Sequence, residues 1–158
     1  MRLEINRADR SDLREILDLQ KLAFHETAVL YGLFDILPLT QTMEELIEES
    51  ESGVILKAVQ NDAIIGSVRG RLKGEGCYIG RLIVHPDCRN QGIGRRLMTA
   101  IEREFDVRVF ELTTGHLNYK NISLYEKLGY EIFERERRSE GLFLIHMRKQ
   151  KTRIESMK

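Results

Sequence analysis

The sequence predicts an α/β protein, a mixed sheet with helices on its faces, and three observations carry that expectation. Three strand-like runs lie in succession between residues 54 and 84, divided by Asn61-Asp62 and by Gly74-Glu75-Gly76. Such turn residues between apolar runs mark hairpins. The third run, residues 77–84, alternates with Tyr78, Leu82 and Val84 on one face and Ile79 and Ile83 on the other, so it is expected at the centre of the sheet. Directly after it, residues 91–104 line Ile93, Leu97, Ala100 and Ile101 along one side of a helix, with Phe105 just beyond.

Taken in order, residues 2–7 read as a strand with Leu3 and Ile5 on one face. Ser11 is the expected N-cap of the first helix, whose stripe runs through Leu13, Ile16, Leu17 and Phe24. Residues 28–38 are apolar but irregular and are expected to form a loop or a broken helix. Thr42 is placed to cap an acidic helix over residues 43–50, which Gly53 stops. Strands are expected over 54–60, 63–72 and 77–84, then the helix over 91–104 and a strand over 107–113. A helix over 118–128 ends at Gly129, and residues 130–137 and 142–149 form a closing hairpin around Arg138-Ser139-Glu140-Gly141. One domain is expected over residues 1–150, and the polar residues from 150 to 158 are expected to fray as a tail.

Composition excludes several classes. A chain of 158 residues buries a core without disulfides or metals, and no metal is expected. With 42% hydrophobic and 32% charged residues it is neither disordered nor a membrane protein, and no apolar run nears the roughly 20 residues of a span. A net charge of zero gives no reason to expect nucleic acid as a partner. The first residues carry no signal-peptide pattern, and Cys77 and Cys88 lack CxxC spacing, which suits a reduced cytoplasmic protein. Cys88 lies close to a glycine turn, but no His-plus-acid pattern surrounds it, so it is read as a small residue in a loop and not a nucleophile.

The chemistry is concentrated in Arg89-Asn90-Gln91-Gly92-Ile93-Gly94. The first turn of a helix has unpaired N–H groups and a partial positive charge, which suits a phosphate. Gly92 and Gly94 remove the side chains that would hold an anion away from those groups. Arg89, Arg95 and Arg96 gather cationic charge where a helix start would favour acids, which points to an external anion. The bland alternative is a glycine-rich turn with solvated arginines. Two familiar phosphate motifs fail here. A P-loop needs Gly-Lys-Ser/Thr where Gly94-Arg95-Arg96 stands, and a dinucleotide fingerprint needs a third small residue where Leu97 stands.

Residues 81–98, Arg-Leu-Ile-Val-His-Pro-Asp-Cys-Arg-Asn-Gln-Gly-Ile-Gly-Arg-Arg-Leu-Met, resemble the acetyl-CoA-binding motif of GNAT-type N-acetyltransferases, Arg/Gln-x-x-Gly-x-Gly/Ala after a strand. Residues 118–130, Asn-Tyr-Lys-Asn-Ile-Ser-Leu-Tyr-Glu-Lys-Leu-Gly-Tyr, resemble the same family's Asn-x-x-Ala/Asn-x-x-Leu-Tyr-x-Lys-x-Gly-Phe/Tyr pattern. The element order is similar to the family's fold from residue 2 to about residue 149. The resemblance implies the GNAT acyl-CoA N-acyltransferase fold, with a mostly antiparallel central sheet flanked by helices, and acetyl-CoA as co-substrate. It implies that backbone groups of Leu82, Ile83 and Val84 pair with the pantetheine arm like an extra strand. Backbone N–H groups of Gln91, Gly92, Ile93, Gly94 and Arg95 would hold the pyrophosphate, with Arg89 and Asn90 beside it. Asn118 and Asn121 would touch the coenzyme from the later helix, and Tyr125 would set its hydroxyl near the thioester sulfur as general acid.

The activity so implied is direct transfer of an acetyl group to the amine of a small molecule or peptide. A non-catalytic acyl-CoA sensor with the same fold is the alternative, and a Rossmann-type nucleotide-binding regulator is a third, disfavoured one. A lysine-like amine has a pKa of about 10.4, so a base or a water chain must take its proton. The oxyanion would be held by a strand N–H near Ile83. Relatives place a glutamate on the fourth or fifth strand, but Gly80 and Arg81 occupy the nearest fourth-strand positions. Glu111, His116 and Tyr78 are the base candidates, or water alone; His25, His85 and His146 are read as structural or exposed. The acceptor would lie near Tyr31 and Phe34, with Phe143 opposite. Glu44, Glu45, Glu48 and Glu49 either attract a cationic amine or, as more often, form the solvated face of a helix. The resemblance also implies a homodimer, which is common in the family.

Overall fold

The computed structural model describes residues 2–151. Its strands are β1 (Glu4–Arg7), β2 (Val54–Gln60), β3 (Ala63–Lys73), β4 (Gly76–Val84), β5 (Val109–Gly115), β6 (Glu131–Ser139) and β7 (Leu142–Gln150). Its α-helices are α1 (Leu13–Tyr31), α2 (Leu37–Thr40), α3 (Met43–Ser52), α4 (Ile93–Arg103) and α5 (Tyr119–Lys127). The strands form one sheet of order β1-β2-β3-β4-β5-β7-β6. Every pairing is antiparallel except that of β4 with β5. The expected mixed, mostly antiparallel sheet with helices on its faces is therefore present.

Each face of the sheet has its own core. On one, Leu97, Met98 and Ile101 of α4 and Tyr125 of α5 pack on Val68, Ile79, Phe110 and Met147. On the other, Leu13, Ile16 and Leu17 of α1 and Leu46 of α3 pack on Ile55, Ile64 and Ile83. Each such side chain contributes about 1.5–3 kcal/mol by leaving water. Asn61 and Asp62 take φ of +55° and +61°, the left-handed pair that a two-residue hairpin turn requires. Among the described residues no helix is long and apolar enough to cross a membrane.

Several expected boundaries move, each for a local reason. Ser11 does not cap α1. Asp9 and Asp12 form a reciprocal capping box around one turn of 3-10 helix that leads into α1, and Ser11 donates its N–H to Asp9. Residues 28–31 continue α1, because buried Ala28 extends its apolar stripe. The break comes at Gly32, whose φ of +66° lets Leu33 N–H close on Ala28 O at 3.0 Å. The helix expected from Gln91 starts at Ile93, since Asn90 and Gly92 are left-handed at +63° and +78°. Gln150, expected in the fraying tail, ends β7 opposite Val109, and Lys151 N–H bonds Arg108 O at 2.7 Å. The rest of that tail, residues 152–158, lies outside the described residues.

The largest correction concerns β4. Ser67 faces Ile83 and Arg69 faces Gly80, so β4 carries one extra residue in that interval, with Arg81 at φ +51°. A one-residue bulge exchanges the faces of everything beyond it. Ile79 therefore shares the α4-side core with Leu82 and Val84, while Ile83 sits in the α1-side core. Tyr78 is left opposite Leu82 and Val84, contrary to the unbroken alternation.

Candidate active site

The site begins where the sheet fails to close. β4 and β5 pair only at Cys77↔Phe110 and Tyr78↔Glu111, although β4 runs on to Val84 and β5 to Gly115. Beyond Tyr78 the strands part, and the β5-facing backbone groups of Leu82, Ile83 and Val84 have no strand partner on that side. An unpaired strand edge is a template for an extended ligand.

At the far end of β4 comes the glycine turn. The first intrahelical bond of α4 runs from Arg96 N–H to Gly92 O at 3.1 Å. The N–H groups of Ile93, Gly94 and Arg95 therefore have no carbonyl behind them, and no acid stands in the first turn. A Cβ at Gly94 would lie 3.4 Å from Leu124 and 3.7 Å from Leu82, so this glycine sits at the junction of α4, β4 and α5. Gln91 and Asn90 are exposed just ahead of the helix. Arg89 does not stand free beside the turn: it pairs with Glu26 of α1.

Tyr125 of α5 is buried, with its ring 6.1 Å from that of Tyr130. Burial, and after it the neighbouring Tyr78, pushes its pKa well above the usual tyrosine value. Tyr78, which exerts that influence, is the last β4 residue paired with β5, where the strands part. Asn118 ends the loop before α5 and donates to Thr114 Oγ1 at 3.2 Å; Asn121 lies one turn on, half-buried.

The residues expected around the acceptor fall into two groups. Tyr31 is a brace: its hydroxyl accepts from Leu117 N–H at 2.8 Å and donates to Asn118 Oδ1 at 3.4 Å. Its phenol fills the space beside Gly115, where a Cβ would come within 2.2 Å of the oxygen. Phe34, by contrast, is exposed near His25. The α3 acids are not simply a solvated face. Glu45 is spent in the capping box with Thr42, and Glu49 accepts from Gln41 at 2.6 Å and from Arg69 at 2.9 Å.

The base candidates differ in what already holds them. Glu111 accepts from Arg148 at 3.1 Å with one oxygen and faces Lys73 at 3.9 Å with the other. His116 lies between the rings of Tyr31 and Phe143, with Nδ1 3.0 Å from Phe143 N–H. The same Nδ1 lies 3.3 Å from Phe143 O, so the backbone of Phe143 holds the ring. His146, read from sequence as structural or exposed, is neither idle nor isolated. Its Nδ1 lies 2.9 Å from Thr113 Oγ1 and its Nε2 lies 2.9 Å from Glu136 Oε1. With Tyr78, Glu111 and Arg71 these groups line a depression of about 390 Å³ beside the parting strands. Glu134 joins Glu136 and His146 in a group whose ligand atoms lie within 4.8 Å of one another, but both His146 nitrogens are already engaged.

Sequence reading also missed a buried polar network on the α1 face. Arg69 of β3 is 6% exposed; its Nη1 donates to Glu49 at 2.9 Å and Gln41 at 3.2 Å, and its Nη2 to Gln20. Burial pulls its pKa down to about 10, with Glu49 opposing and the nearby Arg81 reinforcing the shift. The Nε atoms of Arg69 and Arg81 are both buried without a hydrogen-bond partner. A charged residue at an inward β-position was the available signal for Arg69.

Comparison with known proteins agrees with this geometry. The sequence profile of the acetyltransferase (GNAT) domain matches residues 33–151. An acetyltransferase of Yersinia enterocolitica is 31% identical over 126 residues, covering 74% of this chain and 87% of that protein. The Bacillus subtilis protein YqkA is 31% identical over 132 residues; the match takes in 83% of this chain but only 38% of that protein's length. Among solved structures, the PaiA N-acetyltransferase of Thermoplasma acidophilum, determined with coenzyme A, superposes with a TM-score of 0.78 at 19% identity over 95% of this chain and 99% of that one. YncA of Salmonella typhimurium, determined with acetyl-CoA as its cofactor, gives 0.75 at 19% identity over 96% and 95%. Two sequence motifs, the parted strands and the profile match agree: this chain belongs to the GNAT acetyltransferase family.

Proposed function

We propose that the protein is an N-acetyltransferase that moves an acetyl group directly from acetyl-CoA to a primary amine of a small molecule or peptide. The parting of β4 from β5, with an acid-free helix start at one end and Tyr125 at the other, supports this reading most. Pantetheine takes the open edge of Leu82, Ile83 and Val84. The pyrophosphate takes the N–H groups from Gln91 to Arg95, beside Asn90 and Arg89, and Asn118 and Asn121 border the arm.

The amine nitrogen attacks the thioester carbonyl, and a strand N–H near Ile83 receives the oxyanion. The carbon–sulfur bond then breaks and the sulfur leaves toward Tyr125. A tyrosine with a raised pKa keeps its proton, so it serves first as a hydrogen-bond donor to that sulfur. The proton lost by nitrogen goes through water to a side chain. Glu111 and His116 are reachable candidates, each already held as described. Thr113 and His146 suit the task better, because Glu136 stands behind the ring to stabilise the imidazolium. Phe34 and Phe143 flank the acceptor's approach.

An amine panel with detection of free coenzyme A thiol tests the reading. Thiol release that depends on one class of amine is the expected result. Tight acetyl-CoA binding with no release on any amine would make the protein an acyl-CoA sensor.

A further inference from the structure

We propose that Arg81, backed by Arg69, forms a subsite for an anionic group on the acceptor, so that the substrate is an amine that also carries a carboxylate, as an amino acid does. The proposal rests on the acetyl-transfer reading above and narrows it.

Three observations converge on Arg81. It is half-buried, its Nε is wholly enclosed, and among the described residues it makes neither an ion pair nor a hydrogen bond. Its cationic neighbour Arg69 already holds the acid Glu49, and among the described residues no ion pair joins a carboxylate to Arg81. An enclosed N–H without an acceptor is unfavourable, and a half-buried guanidinium that keeps one close to the parting strands is placed to receive an anion.

The backbone sets Arg81 close to the parting strands. Arg81 occupies the β4 bulge at φ +51°, a conformation a non-glycine residue adopts only under constraint. The bulge lies just past Tyr78, where β4 leaves β5, and so beside the place proposed for the thioester. The backbone just before it is uncrowded, since a Cβ at Gly80 would meet only the Tyr78 ring at 3.6 Å. A guanidinium also matches a carboxylate with two parallel N–H donors.

The same cation discriminates among amines. A plain polyamine brings no anion to Arg81 and meets only repulsion there, whereas an amine that carries a carboxylate neutralises it.

Calorimetry on the coenzyme-A-loaded protein tests this without turnover. N-acetylated amino acids of each side-chain type are titrated, each against its amide, and an N-acetylated aminoalkyl phosphate against the matching alcohol. We expect at least tenfold tighter binding of the charged member of a pair, loss of that preference in Arg81→Gln, and part of it kept in Arg81→Lys. A preference in the phosphate pair alone would identify the anion as phosphate and overturn the carboxylate assignment. No preference in the wild-type protein overturns the subsite, whatever the variants do. Thiol release from free amino acids, their amides and spermidine is then measured. Release without preference for the charged amine leaves the acetyltransferase standing and removes the subsite. Charged-product binding with no release on any amine keeps the subsite and removes the acetyltransferase.

Discussion

Thr113 on β5 and His146 on β7 meet across the register of the two strands with Oγ1 2.9 Å from Nδ1, and Glu136 holds the opposite ring nitrogen at 2.9 Å. A carboxylate at Nε2 keeps the ring proton there, which leaves Nδ1 free to accept from the hydroxyl. If the amine's proton leaves by this route, His146→Gln lowers kcat about a hundredfold, with acetyl-CoA affinity unchanged. Glu136→Gln lowers it less, and His116→Gln leaves it within about twofold. Steady-state kinetics with a saturating acceptor measures all three. A His146→Gln enzyme with wild-type kcat would send the proton elsewhere.

Tyr125→Phe separates donation to the sulfur from packing, because the ring stays in the core. We expect kcat to fall by about two orders of magnitude while acetyl-CoA binding changes little. A kcat within about twofold of wild type would falsify the donor role.

The turn at Gly92 and Gly94 and the segment from Asn118 to Tyr125 were legible in the sequence because backbone demands and short spacings fix such motifs. The bulge at Arg81 was not. Nothing in an arginine announces a left-handed φ, and an alternation carried through it assigns Ile79 to the wrong core. The tie from His146 to Glu136 was hidden for a related reason. Its register depends on irregularities between Ile132 and Glu134 and between Arg137 and Ser139, which no count of residues from the hairpin turn provides. Glu49 read as one acid of a solvated run because its partner, Arg69, lies on a strand twenty residues away.

Tyr125 and Tyr130 both have raised pKa values, from burial first and, at Tyr130, from Glu102 next. The folded state therefore holds its two phenol protons after the unfolded chain has begun to lose them. Their contribution is complete below the ordinary value of 10.0 and is lost as pH rises above it. Stability should fall by about 1.4 kcal/mol per pH unit for each tyrosine once the unfolded chain ionises. Tyr130→Phe should lessen the measured slope by about 1.4 kcal/mol per pH unit in urea melts taken between about pH 10 and about pH 12, while the buried Cys77 thiol and Tyr31, also raised, keep their share.

Glu102, 6% exposed on α4, accepts from the Tyr130 hydroxyl at 2.8 Å and from Lys149 Nζ at 3.0 Å. Glu102→Ala strands both donors in a mostly buried setting, and we expect a loss of about 3 kcal/mol in denaturant unfolding. Glu102→Gln keeps an acceptor for the hydroxyl and should lose less. Equal losses would show that charge, and not volume, matters there.

Gly94→Val brings a branched side chain against Leu124 and Leu82 at the helix start proposed for the pyrophosphate. Acetyl-CoA affinity should drop at least about tenfold, a cost of about 1.4 kcal/mol, with the acceptor KM little altered. Titration of acetyl-CoA and dephospho-coenzyme A against this variant gives the comparison. Unchanged affinity for both would move the pyrophosphate away from this turn.

The two halves of the sheet are joined by backbone hydrogen bonding at only two residue pairs, Cys77 with Phe110 and Tyr78 with Glu111. Within the sheet the weld between the two halves is narrow, and the α4-side core spans it. One half, β1 to β4, ends in the turn proposed for the pyrophosphate; the other, β5 to β7, carries the proposed proton relay. A coenzyme lying along Leu82 to Val84, as proposed, would be more than cargo: it would work as a dowel between the halves. Its departure should loosen β5 and β7, and deuterium uptake there should rise and fall with coenzyme occupancy although no atom of those strands need touch the nucleotide.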